Sequence, residues 1–278
     1  EMGLLEDLAE RRTWVDRYLR DVLARRRDPL VGKLQEAVAY ALEGGKRVRA
    51  LLVLEGAELT GTNPKSALPT AAAVECFHAY SLVHDDLPAM DDDAERRGRP
   101  TVHVRFGEAT AILVGDTLIP MGFELIAHDQ AEISGPERTL PVLQLFARAL
   151  GERGLTGGQH LDLKGVSAEG WPEVHARKTA ALIRASLEAG ARLGGMTEPE
   201  LERLREFGEH LGRAYQLVDD LLDWDEGGKA DLSRFLSQEE ARRLVREQTE
   251  SALESLKPFG ERAGRLRAFT LQLAERTK

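Results

Sequence analysis

The sequence predicts an all-α fold, and three observations carry that prediction. Apolar residues recur at helical spacing almost from end to end of the 278 residues. No stretch sustains the apolar–polar alternation with β-branched enrichment that a strand requires. Apolar residues make up 42% of the chain but aromatics only 5%, so alanine and long aliphatics dominate, and these lose little freedom in a helix. Charged residues at 31% complete the composition of an ordinary globular protein, long enough to bury a substantial core.

Taken in order, the helices are expected at about 3–25, 32–43, 46–60, 67–87, 107–127, 136–154, 172–194, 198–224, 237–256 and 260–276. The breaker GTNPKS (61–66) separates the third from the fourth. The fourth has the body LPTAAAVECFHAYSLV, almost wholly apolar, so it should be buried on most sides until Pro88, lacking an N–H, ends it. The window ATAILVGDTLIPMGFELIA (109–127) approaches the length of a membrane span, but Asp116 and Glu124 would be costly in lipid, so a buried core helix is expected there. The breakers DQAEISGP (129–136) and DEGGKADLS (225–233) divide the later helices. Ser134 with Glu137, Thr197 with Glu200 and Ser237 with Glu240 match the capping-box spacing at helix starts. No linker, internal repeat or low-complexity tract interrupts the chain, so one domain over 1–278 is expected.

A net charge of −9, from 38 basic and 47 acidic residues, argues against a nucleic-acid partner, because phosphate-backbone binding wants an excess of Lys and Arg. Cys76 is the lone cysteine, so an intramolecular disulfide is impossible. The opening EMGLLEDLAERR lacks the layout of a signal peptide. Together these features lead to an expected cytoplasmic location, with no membrane span.

Chemistry is concentrated in two acidic clusters. HDDLPAMDDDAERRG (84–98) crowds Asp85, Asp86, Asp91, Asp92 and Asp93 at the end of the apolar fourth helix. Carboxylates there meet the negative end of the helix dipole and repel one another, so something positive has to offset them. GRAYQLVDDLLDWDE (212–226) places Asp219 and Asp223 one turn apart on one face, with Gln216 a turn earlier and Asp220 adjacent, all among apolar neighbours. Oxygen-only ligands point to a hard cation, and Mg²⁺ typically combines one or two carboxylates with substrate phosphates. The expected ligand is therefore a diphosphate bridging metals held by both clusters. Cations to meet its oxygens stand in GGKRVR (Lys46, Arg47, Arg49), in ERRGRP (Arg96, Arg97) and in RKT (Lys178, beside Thr179). Singly, each segment reads as a solvated helix face or a packed core residue, His78 and His84 included; their conjunction in one chain is what points to a site.

These motifs resemble the short-chain trans-prenyltransferases, the isoprenyl diphosphate synthase (polyprenyl synthetase) family. LVHDDLPAMDDDAERRG is similar to the family's first aspartate-rich motif and LGRAYQLVDDLLD to its second, while GGKRVR, GEATAILVGDTLI, GGQHLDL and RKTAALI fall in the family's order. The resemblance implies an antiparallel all-α bundle around a deep central cavity, assembled as a homodimer. It implies three Mg²⁺ ions on the diphosphate of an allylic substrate, with Asp85, Asp91, Asp219 and Asp223 as ligands. Asp85, Asp86, Asp91, Asp219, Asp220 and Lys178 would carry catalysis. Arg96, Lys178, Thr179 and Gln216 match the allylic-diphosphate contacts, and Lys46, Arg49, His78 and Arg97 the site for isopentenyl diphosphate.

Product length follows from the greasy segment ahead of the first cluster. If Asp85 anchors the diphosphate, the growing tail runs back along the same helix, and Tyr80 lies about 7.5 Å away along its axis. The Tyr80–Ser81 pair, with four residues between Asp86 and Asp91, resembles bacterial farnesyl diphosphate synthases, so a farnesyl product is expected and geranylgeranyl is the alternative. One departure stands out. Family members carry a longer basic loop after the second cluster, whereas DWDEGGKADLSRFLS passes quickly into the next helix, leaving Lys229 as the counterpart of the loop's lysine. The clearest alternative of another class is a non-catalytic partner subunit of a heteromeric synthase, which would commonly lose one cluster. A class I terpene cyclase would not need the isopentenyl-site cations, and a phosphohydrolase built on His84–Asp85 would want further His ligands.

Overall fold

The computed structural model describes residues 3–165, 170–225 and 236–275, without the side chains of residues 175 and 223–225. Its helices are α1 (Leu4–Arg25), α2 (Gly32–Leu42), α3 (Val48–Leu59), α4 (Leu68–Asp85), α5 (Val102–Phe106), α6 (Glu108–Glu124), α7 (Ala131–Ser134), α8 (Pro136–Leu150), α9 (Leu155–Leu163), α10 (Trp171–His175), α11 (Ala181–Leu193), α12 (Glu198–Asp225), α13 (Gln238–Ser255) and α14 (Gly264–Glu275). A two-residue ribbon pairs β1 (Glu95–Arg96) with β2 (Arg99–Pro100), antiparallel, with Glu95 opposite Pro100. The expected all-α architecture holds. The chain divides into two compact units, residues 5–54 with 64–143 and residues 1–4 with 55–63 and 144–278.

In the first unit α4 is the central element, buried along nearly every side from Pro69 to Phe77 as its uniform apolarity requires. It packs most extensively on α6. Two α6 glycines, seven residues apart and so on one face, permit the approach. A Cβ at Gly115 would lie 2.0 Å from Nε2 of His84, and one at Gly122 would lie 2.5 Å from the Phe77 ring. Glu108–Ser134 forms one helical run apolar and long enough to cross a membrane, but Val114, Leu118 and Met121 of that run are core residues of this unit. Within it Leu125–Gln130 widens to a π-helix, and the fully buried Gln130 amide takes the Thr70 Oγ1 hydroxyl at 2.9 Å and donates to Ser66 O and Ser134 Oγ, each at 2.9 Å.

The second unit is built on α12, which packs on α11 and α13. Leu217, Val218 and Leu221 of α12 meet Ala241 and Val245 of α13 in a core cluster. The α3 segment that belongs to this unit passes close to α11, where a Cβ at Gly56 would lie 2.2 Å from the Leu187 carbonyl. Buried Glu188 is held by Arg192 and Arg205 at 2.8–3.1 Å, so its charge is paired and hydrogen-bonded.

The ten expected helices are present, with differences in detail that have physical causes. Short α5 and α9 and the ribbon offer too few residues for periodicity to register. The helix expected over 172–194 contains a π-turn at Ala176–Ala180 between α10 and α11. The capping box at Ser237 forms as expected, with Glu240 returning the bond. At Thr197 only the Glu200 side chain engages, accepting from the hydroxyl at 2.8 Å. Ser134 instead ends α7 and receives the Gln130 amide, while Gly135, at φ +79, turns the chain so that Pro136 starts α8.

Candidate active site

In the first unit, α4 delivers the acidic cluster. Asp85 is its last residue and Asp86 caps it. The chain then folds back so that the Asp91 N–H donates to the Asp85 carbonyl at 2.8 Å, which brings the backbones of these two residues together across the five residues between them. Asp92 takes φ +54 and donates its N–H to Leu87 O at 3.2 Å, closing the turn. Asp86, by contrast, is buried at 3% exposure, and its carboxylate accepts from Arg96 Nε at 3.0 and 3.1 Å and from its terminal nitrogen at 2.6 Å. The bidentate fork fixes the guanidinium plane. Asp86 is therefore committed to Arg96 rather than open to a ligand.

The ribbon sets the next cations. Arg97 and Gly98 form its two-residue turn with φ +56 and +71, the I′ geometry whose twist matches the flanking strands. The Arg97 guanidinium comes to rest against Gly45, where a Cβ would lie 2.7 Å from it, so that position admits only glycine without a shift. Arg49, in the first turn of α3, donates to His78 Nε2 at 3.4 Å, which requires a neutral imidazole protonated on Nδ1. Burial, then the charges of Arg49, Arg97, Arg96 and Arg47, hold the His78 pKa well below its ordinary range. Lys46 is exposed on the same loop. Arg49 and Arg97 thus both lie close to His78, while Lys46 is next to Gly45 in the chain.

Arg47 requires a correction. Expected to be available to a phosphate, it is buried at 7% exposure and committed to Asp16 at 2.8 Å, Glu75 at 3.2 Å and the Leu42 carbonyl at 2.6 Å. Tyr80 and Ser81 are buried on α4. The tyrosine ring lies edge-on to His84 at 6.0 Å, and Ser81 Oγ bonds the His78 carbonyl at 2.9 Å. His84 Nε2 lies 3.0 Å from the Ile112 carbonyl, a packing role. Cys76 is no nucleophile, since burial pushes its thiol up to about 12.

In the second unit the π-turn carries Lys178 and Thr179. Two glycines leave room for it: a Cβ at Gly158 of α9 would lie 2.7 Å from Lys178 N, and one at Gly212 of α12 would lie 2.6 Å from Ala180 Cβ. Lys178 Nζ donates to Asp162 of α9 at 2.7 Å, and the Gln216 amide donates to Asp220 at 2.9 Å. Asp219 is partly exposed and Asp220 buried. The Asp223 side chain and Lys229 lie outside the described residues.

Asp162, Asp16 and Glu75 went unnoticed in the sequence. For Glu75 a signal existed, because a carboxylate inside an otherwise apolar helix demands a buried partner.

Among the described residues no group of three or more His, Cys, Asp or Glu side chains could by itself hold a metal ion. The donor set still fits Mg²⁺, which completes its shell with substrate phosphates and waters rather than with a protein cage. Carboxylates paired with arginines on helices and tight turns have the chemistry of a site for a phosphate ester.

The chain matches the polyprenyl synthetase family over residues 31–231 and belongs to that family. It is 40% identical to the farnesyl diphosphate synthase of Geobacillus stearothermophilus over 228 residues, 80% of this chain and 76% of that one. Over 212 residues it is 43% identical to the heterodimeric geranylgeranyl pyrophosphate synthase large subunit 1 of Arabidopsis thaliana, covering 73% of this chain and 57% of that protein. An FPP/GFPP synthase from Zymomonas mobilis superposes with a TM-score of 0.87 at 35% identity, covering 98% of both chains. A geranyltransferase from Legionella pneumophila gives 0.90 at 32% identity, covering 99% of this chain and 97% of that one. The protein is a trans-prenyl diphosphate synthase with the all-α isoprenoid synthase fold.

Proposed function

We propose that this protein condenses isopentenyl diphosphate with dimethylallyl and then geranyl diphosphate, and that it releases farnesyl diphosphate. The observation that carries the reading is that Arg49 meets His78, with Arg97 and Arg96 close enough to depress its pKa, in addition to the Asp86–Arg96 pair, because only a condensing enzyme needs a second diphosphate site. Lys46, Arg49 and Arg97 hold the isopentenyl diphosphate, with neutral His78 as a hydrogen-bonding partner. Arg96, aimed by Asp86, together with Lys178, Thr179 and Gln216, holds the allylic diphosphate.

Asp85 and Asp91, with Asp219 and Asp223, would hold Mg²⁺, three ions when the diphosphate is bound. Bound there, the cation supplies Lewis-acid stabilisation of the departing diphosphate. The arginines and lysines add to that stabilisation, and apolar walls exclude the water that would quench an allylic cation. The isopentenyl double bond attacks that cation, and the proton it then loses passes to the departing diphosphate. Buried Tyr80 is the floor that stops elongation, with Ser81 beside it. The reading brings with it one catalytic domain over 1–278, a homodimer, a cytoplasmic location and a role for Lys229 in closing the site.

A second reading, geranylgeranyl synthesis, is favoured by the similarity to Arabidopsis thaliana geranylgeranyl pyrophosphate synthases at 43–44% identity. The test is a product assay: purified protein with both starters, with and without Mg²⁺, the products dephosphorylated and sized by mass spectrometry. Metal-dependent farnesol supports the proposal, and geranylgeraniol transfers it to the second reading. No condensation by folded protein rejects both in favour of a non-catalytic partner subunit.

A further inference from the structure

Three of the four residues from Gly44 to Arg47 lie in the left-handed region: Gly44 at φ +78, Gly45 at +86 and Arg47 at +56. Lys46 sits between two of them. Glycine adopts this conformation freely, whereas for arginine it is strained and persists only where its surroundings hold it.

What holds Arg47 is unusual. Its carbonyl accepts the Leu51 N–H at 2.9 Å, which makes it the N-cap of α3. An N-cap side chain ordinarily accepts an N–H from the first turn, and a guanidinium cannot accept. Glu75, from α4, supplies the missing acceptor: one carboxylate oxygen takes the Ala50 N–H at 3.1 Å while the other meets Arg47 at 3.2 Å. Asp16 of α1 takes Arg47 Nε at 2.8 Å, and the Leu42 carbonyl at the end of α2 takes a terminal nitrogen at 2.6 Å. One side chain thus ties together α1, α2, α3 and α4. Lys46 and Arg49 flank it in sequence, and His78 stands one turn beyond Glu75 on α4.

We propose that Asp16, Arg47 and Glu75 form a positioning bracket that sets Lys46 and Arg49 against His78 for the isopentenyl diphosphate, an inference that rests on the site reading given above. The two carboxylates neutralise Arg47, so its part is to fix the loop rather than to touch the substrate. Lys46 and Arg49 then meet the diphosphate already oriented, without ordering a flexible glycine loop on binding.

The test is steady-state kinetics of the full chain, varying each substrate in turn, for Asp16→Asn, Glu75→Gln and Arg49→Gln. Wild-type condensation, with a raised KM for isopentenyl diphosphate in Arg49→Gln, establishes the underlying site. The bracket then predicts that Asp16→Asn and Glu75→Gln raise that KM about tenfold and leave the allylic KM within about twofold. Equal changes in both KM values, or none, overturn the bracket and leave the site reading standing. Wild-type protein that condenses nothing overturns both. Asp16 keeps 35% of its side chain exposed, so Asp16→Asn carries the test alone if Glu75→Gln does not fold.

Discussion

The Asp86–Arg96 pair allows a quantitative prediction, tested by a double-mutant cycle with Asp86→Asn and Arg96→Gln. Three contacts at 2.6, 3.0 and 3.1 Å join the two groups. Hydrogen bonds to charged groups contribute about 1.5–3 kcal/mol each when well formed. Two considerations reduce the sum. The contacts share one guanidinium and one carboxylate, and the arginine side chain is 34% exposed against 4% for the aspartate, so water screens one end. A coupling of about 1–2 kcal/mol is expected, roughly a five- to thirtyfold factor in an equilibrium constant. Urea unfolding of the wild type, both single variants and the double variant measures that coupling. The KM for the allylic diphosphate, read on the same four proteins, reports whether the pair orients Arg96. Strictly additive single effects in both measurements would refute the argument that Asp86 works by holding Arg96.

Two further perturbations concern Tyr80 and His78 on α4. Tyr80→Ala is expected to cost about 3–5 kcal/mol as a core truncation and to shift products beyond farnesyl; an unchanged product distribution by mass spectrometry would remove Tyr80 as the floor. His78 is neutral in the fold because burial and four arginines disfavour its charged form. The native state therefore refuses a proton that the unfolded chain accepts below about pH 6.5, and stability is full above that pH and falls by up to about 1.4 kcal/mol per pH unit below it. Urea titrations from pH 7.5 to pH 5, compared with His78→Gln, should show the variant losing about one proton's worth of slope; parallel profiles would count against the assignment.

Much of this protein was legible in its order of residues, for identifiable reasons. Helices of ten or more residues declare themselves by periodicity, and α4 declares its burial by having no polar face. Each aspartate cluster is local, so its chemistry is written in consecutive residues: Asp85 to Asp91 span one turn, and Gln216 to Asp220 one helical repeat. Partner choice is a different matter, because it depends on which helices the fold brings together. Nothing near Arg47 in sequence indicates that residues 31 positions before it and 28 after it would claim its charge. Likewise nothing near Gly115 and Gly122 names the His84 and Phe77 rings that need their missing side chains. The π-turn at Lys178 is equally a tertiary outcome, since Gly158 and Gly212 on two other helices make the space for it. Sequence by itself determined the helices, the acidic and basic groups and hence the class of chemistry, because these follow from local spacing and residue type. Tertiary structure decided which charges are spent on one another and which remain for a substrate, because ion pairing is settled by distance in space.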